Sequence, residues 1–122
     1  MSSDIMRYVG GAVPSERRVP QINLLANEMS ISTTARSVEC DWTGYDMILV
    51  EAMFYSNVMA SIMVPLDYFA ATQSNARVMI WDPVNSQRFE VYKNDDSHAY
   101  VRANQAEDSR YGVRIYGVLF GE

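Results

Sequence analysis

From Gln21 onward, apolar and polar residues alternate with period two, in short runs separated by Gly, Pro, Asn and Asp. Strands with one buried face have this pattern. The runs predict strands over 22–25, 29–33, 36–42, 47–55, 58–64, 77–81, 87–92, 98–103 and 113–120. In 36–42 the alternation sets Val38, Cys40 and Trp42 against Ser37, Glu39 and Asp41. Pro65, which has no N–H to give to a ladder, ends the run that precedes it, and residues 66–71 suit a helical turn. No long segment has a helical period. About eight strands at roughly ten-residue spacing predict an all-β fold, a single jelly-roll-like β-sandwich over 21–122. Residues 1–20, with Gly10-Gly11, Pro14 and Pro20 and no sustained period, predict an extended N-terminal arm.

The ribbon over 47–64 departs from the one-faced pattern. A three-residue tip at Tyr55–Asn57 places Ile48, Val50, Ala52 and Phe54 on one face together with Val58, Ala60, Ile62 and Val64. The opposite face then carries Met47, Leu49, Met53, Met59 and Met63, interrupted by Glu51 and Ser61. A two-residue tip reshuffles the sets and leaves both faces largely apolar. A half-exposed antiparallel sheet needs one polar face, so something has to cover this one: the arm, another part of the chain, or another subunit. Methionine fills irregular contacts of any of these kinds. The five residues are therefore the candidate interface, and Met53→Asp or Met59→Asp is expected to weaken association more than folding.

Composition narrows the chemistry. The chain has 122 residues and a formal charge of −5, with one basic pair, Arg17-Arg18, next to Glu16. A nucleic-acid partner would call for a basic face, so none is expected. No apolar run reaches the length of a membrane span. One cysteine, Cys40, and one histidine, His98, leave neither a disulfide framework nor most transition-metal sites. No phosphate loop or nucleophile elbow occurs. No catalytic residue, cofactor or metal is therefore expected, and Cys40 is read as a small buried side chain on a strand.

Two stretches resemble a known family. They are Trp42-Thr43-Gly44-Tyr45-Asp46-Met47-Ile48-Leu49-Val50-Glu51 with its continuation Ser61-Ile62-Met63-Val64-Pro65, and the closing Tyr111-Gly112-Val113-Arg114-Ile115-Tyr116-Gly117-Val118. A Tyr-Asp opening, an apolar strand ending in Pro and a closing Arg-Ile-Tyr-Gly strand look like the terminal β-domain of bacteriophage tail and minor structural proteins, many of them tip or receptor-binding proteins. The resemblance covers roughly 38–118. It implies a virion component made in the bacterial cytoplasm, assembling with itself, with threefold symmetry favoured, and with other virion proteins. In this chain the domain is nearly the whole sequence rather than the end of a long fibre, which leaves room for a cap, plug or decoration protein. Within the closing motif, Ile115 reads as inward-facing and Gly117 as a place where another backbone comes close.

The leading reading is a non-enzymatic structural component of a phage-like particle. The alternative is a carbohydrate- or receptor-binding module at a host-facing tip. Its best local candidates are Trp81, Asp82, Asn85 and Gln87, an aromatic beside polar groups. A third reading, a small hydrolase, requires two of Asp82, Asp95, Asp96, Glu107 and Asp108 to converge in a cleft.

Overall fold

The computed structural model describes residues 19–121; all but the last two residues of the expected 1–20 arm lie outside that range. Eight strands and one short helix follow in the order β1 (Gln21–Met29), β2 (Arg36–Glu39), β3 (Met47–Phe54), β4 (Asn57–Pro65), α1 (Leu66–Ala70), β5 (Val78–Asp82), β6 (Gln87–Asp95), β7 (His98–Ala103) and β8 (Tyr111–Leu119). They form two four-stranded sheets, ordered β1-β8-β3-β4 and β2-β7-β6-β5. Every pairing is antiparallel. The fold is thus all-β, as the period-two pattern predicts.

Alternate residues of both sheets meet in one core. Ile48, Val50 and Ala52 of β3 and Val113 and Ile115 of β8 face Val78, Ile80, Phe89, Val91 and Val101 of the other sheet. Each of these side chains larger than Ala contributes about 1.5–3 kcal/mol by leaving water. The residues expected over 22–33 do not form two strands. A single β1 absorbs a bulge at Leu25, and Ser30, at φ +61, turns the chain away after Met29. A β-bulge keeps a strand paired while shifting its faces, which a plain period-two count reads as a break.

The β3–β4 tip also differs from expectation. Phe54 pairs with Asn57, so the tip has two residues, Tyr55 and Ser56. Tyr55 sits at φ +56, a left-handed conformation that is costly for a bulky residue. Its N–H donates to the Arg110 carbonyl at 2.7 Å, and the Phe54 ring packs edge-on against its own at 4.7 Å. The ladder regains its phase through a bulge at Met59. Ala60, Ile62 and Val64 therefore do oppose Ala52, Val50 and Ile48, whereas Val58 opposes Met53 on the outer face instead of joining the core set.

At the far end of β3 the loop Trp42–Asp46 folds across the sandwich. A side chain at Gly117 would meet the Tyr45 ring at 2.5 Å. The close neighbour predicted at Gly117 is thus an aromatic ring rather than a backbone. The Tyr45 hydroxyl accepts from Asn23 Nδ2 at 3.1 Å, tying the loop to β1.

Candidate functional site

The two registers of β8 with β1 and β3, and that of β3 with β4, place the outer face of the first sheet in four transverse rows. They run Ile22–Val118–Met47–Pro65, Leu24–Tyr116–Leu49–Met63, Asn27–Arg114–Glu51–Ser61 and Met29–Gly112–Met53–Val58. The first, second and fourth rows are almost wholly apolar, and in them Ile22, Leu24, Met63 and Val58 are half exposed. The third row is a polar stripe. Glu51 and Arg114 lie 4.0 Å apart, and Glu51 Oε1 is buried without a hydrogen-bond partner.

The five candidate interface residues divide on this face. Met47, Leu49 and Met63 share its apolar rows; Met63 is 48% exposed, while Met47 and Leu49 are half-buried. Met59 occupies the bulge and is half-buried. Met53 is 1% exposed and is already covered within its own chain. Gly112, beside it on β8, explains part of this: a side chain there would collide with Met29 and the Glu28 carbonyl, so the Gly leaves room for β1 to close over that row. The expectation that Met53→Asp spares the fold does not suit such a position. Ile22, Leu24, Tyr116 and Val118 complete the face. Their alternation is visible in the sequence, but nothing there says that β1 and β8 lie beside β3.

The outer face of the second sheet is of a different kind. Trp81 pairs with Arg88, and Met79 with Glu90, which pairs in turn with Arg102. Glu90 is buried and receives three guanidinium groups. Arg77 Nη1 donates to Oε1, Arg88 Nε lies 3.3 Å from Oε2, and Arg102 Nε lies 3.4 Å from Oε1. The Arg77 guanidinium also rests 5.1 Å from the Tyr92 ring centroid, and Tyr92 packs against Tyr100 at 5.1 Å. A shallow cavity of about 190 Å³ lies between Ser74, Asn75, Arg77, Met79 and Glu90.

The chain matches no protein-family model, no curated protein and no solved structure.

Of the candidate ligand-binding residues, Trp81 is 50% exposed, but the other three are engaged in the β5–β6 turn. Asp82 is fully buried. Its Oδ1 accepts the backbone N–H groups of Val84 and Asn85 at 2.9 and 3.2 Å, and its Oδ2 accepts Asn85 Nδ2 at 2.8 Å. Gln87 is buried and donates to the Asn85 carbonyl at 3.4 Å. These polar groups build a turn, as short Asx side chains do, and Trp81 is left with different neighbours from those its sequence suggests.

The acidic residues do not gather. Asp82, which ends β5 opposite Gln87 at the start of β6, and Asp95, at the end of β6, stand roughly 26 Å apart at about 3.3 Å per residue, well beyond the carboxyl separation a glycosidase uses. Asp95 accepts from Ser97 N at 2.9 Å and contacts His98 Nδ1 at 2.8 Å, and these hydrogen bonds hold its carboxyl below the usual range. Asp108 is held down to about 2 by its hydrogen bonds with Arg110. Among the described residues, no three of His, Cys, Asp and Glu form a group able to hold a metal ion.

Cys40 and His98 line one surface depression of about 340 Å³ with Leu25, Glu39, Asp41 and Ser97. The sequence gives no sign of this meeting, because it depends on β2 pairing with β7. The Cys40 thiol makes no hydrogen bond to the imidazole, and burial, reinforced by the Asp41 charge, pushes it up to about 12. A nucleophile is activated by a shift in the other direction. Because the folded thiol stays protonated while an unfolded one ionises near 9, stability falls as pH rises from about 9 to 12. Iodoacetamide at pH 8 should accordingly label the native chain at least about 100-fold more slowly than the urea-unfolded chain; equal rates would mean that the thiol is open to solvent.

Proposed function

We propose that this chain is a non-enzymatic structural component of a phage-like particle, assembling with further copies of itself through the outer face of the β1-β8-β3-β4 sheet. One observation carries the reading: apolar rows spanning all four strands, in which Ile22, Leu24 and Met63 stay 56%, 54% and 48% exposed although Val118 among them is buried. A second copy is the favoured occupant because the polar stripe is self-complementary. A two-fold axis between β3 and β8 sets each Glu51 against the Arg114 of the other copy, and the face is then isologous. Four strands about 4.8 Å apart and four rows about 6.8 Å apart give a footprint of roughly 500 Å². Two such footprints reach only the lower end of specific interfaces, about 1,000 Å². Each contact is therefore weak, and closed symmetry or an attached particle multiplies it.

The jelly-roll-like description belongs to the same proposal. The pairs β1·β8 and β2·β7 nest as in a jelly roll, while β3–β4 and β5–β6 remain local hairpins. The threefold assembly implied by the resembled tail domains demands a heterologous use of the face. Sedimentation equilibrium of the full chain separates these cases: twice the single-chain mass supports the isologous contact, three times supports the trimer, and a lone chain at all concentrations up to millimolar removes the proposal.

A second reading, a saccharide-binding module at a host-facing tip, is favoured by Trp81, a half-exposed aromatic on the opposite sheet.

A further inference from the structure

The charge of the second sheet's outer face runs against that of the chain. The formal net charge is −5. Around Glu90, however, three arginines share one carboxylate, which leaves an excess of two positive charges. Elsewhere among the described residues Arg36, Arg110 and Arg114 each have an acid of their own, Glu28, Asp108 and Glu51. Two carboxylate oxygens cannot saturate three planar forks of five N–H groups each. Arg88 and Arg102 turn Nε toward Glu90, and their terminal nitrogens make no hydrogen bond to any described residue. Arg102 Nε is itself buried without a hydrogen-bond partner. Arg88 directly neighbours Trp81 across the ladder, and Met79 stands beside Trp81 on the same face of β5, 56% exposed.

We propose that this face binds a carboxylated saccharide, with Trp81 and Met79 carrying the apolar face of a sugar ring and Arg88 and Arg102 taking its carboxylate. The proposal rests on the saccharide-binding reading and specifies its ligand class. An Arg fork matches a carboxylate in a bidentate geometry that Lys does not offer. A flat aromatic with a neighbouring thioether provides contact area at small entropic cost. Glu90 holds the forks in place, since Arg77, Arg88 and Arg102 come from two strands and the approach to a third. The acidic remainder of the chain disfavours a long polyanion such as single-stranded nucleic acid, whose backbone needs a continuous basic track. The site lies within one chain, so it does not depend on assembly.

The test is a titration of the full chain at low salt with oligogalacturonate and with sialyllactose, read by calorimetry and by tryptophan fluorescence. Trp42 is buried, so the fluorescence response reports Trp81. The expected result is saturable binding of at least one of these acids. The affinity falls at least tenfold in Trp81→Ala and in Arg88→Gln and is not restored by Arg88→Lys, and methyl-esterified ligand binds at least tenfold more weakly. Both altered side chains are half exposed, and unchanged melting curves confirm that the variants fold. Equal binding of the neutral ester overturns the arginine assignment and leaves saccharide binding standing. Absence of saturable binding with acid and ester alike overturns both. Tighter binding of an oligothymidylate than of either sugar acid overturns the proposal in favour of nucleic acid.

Discussion

Met63→Lys yields a folded lone chain, and Met53→Lys yields a chain that does not fold. The two methionines lie on the same face, on neighbouring strands, in different rows. Met63 is 48% exposed on the edge strand β4, so a lysine there extends its ammonium into water and leaves the β3–β4 ladder intact. In an assembled particle the same ammonium would be trapped in an apolar contact. Desolvating it without a partner costs several kcal/mol, more than a small weak interface has to spare. Met53 is 1% exposed, and an ammonium there loses water in the protomer itself, against a total stability of about 5–15 kcal/mol. Sedimentation and far-ultraviolet circular dichroism read the pair together. Met63→Lys should move to single-chain mass with a native spectrum; Met53→Lys should lose its cooperative melting transition. Leu24→Lys, on β1 at the other edge of the face, should reproduce Met63→Lys. An unchanged oligomer in both exposed variants would show that the contact lies elsewhere.

The difference between Met53 and Met63 marks how far the sequence can be read. Alternation in 47–54 and 60–64 assigns Ile48, Val50, Ala52, Ile62 and Val64 to one side without knowledge of any partner strand, because a strand's period is independent of what it pairs with. The burial of Met53 depends on Gly112 and Met29, which come from β8 and β1. It also depends on a bulge at Met59 that no local residue announces. The site around Glu90 is hidden for the same reason. Arg77, Arg88 and Arg102 are isolated basic residues in the sequence and become a cluster only when β5, β6 and β7 lie side by side. Asp82 misleads in the opposite way. Its neighbours Asn85 and Gln87 look like ligand donors, but short polar residues after a strand serve the turn first.

The two outer faces are the opposite surfaces of one sandwich, whose sheets pack about 10 Å apart. An assembly built through the apolar face of the first sheet turns the arginine-rich face of the second outward in every copy. In the isologous contact the two arginine-rich faces point in opposite directions, so a pair of copies bridges two saccharide-bearing surfaces and does not grip one surface twice. The two proposals remain separable: Met63→Lys should abolish this bridging and leave the single-site affinity unchanged.

Phe69→Ala is expected to cost about 3–5 kcal/mol. The sequence marks 66–71 only as a turn, but α1 carries the chain from β4 of the first sheet to β5 of the second. Phe69 is its one buried side chain, fully enclosed by the core. Its ring meets Trp42 edge-on at 5.2 Å. The Trp42 Nε1–H donates to the Asp95 carbonyl at 2.6 Å, so the pair fastens the helix to the loop before β3 and to the end of β6. Thr72 completes the attachment: its hydroxyl donates to the Phe69 carbonyl at 2.6 Å and accepts the Lys93 N–H at 2.7 Å. Removing the ring leaves a cavity between layers that these hydrogen bonds prevent from collapsing, which is the circumstance in which truncation costs most. Phe69→Leu, closer in volume, should cost about 1.5 kcal/mol or less. A double-mutant cycle with Trp42→Phe should return a coupling of about 0.5–1.5 kcal/mol for the ring pair. Urea unfolding measures all three. A cost below about 1.5 kcal/mol for Phe69→Ala would mean that the crossover rests on the surface of the sandwich and that Trp42 closes this end of the core without it.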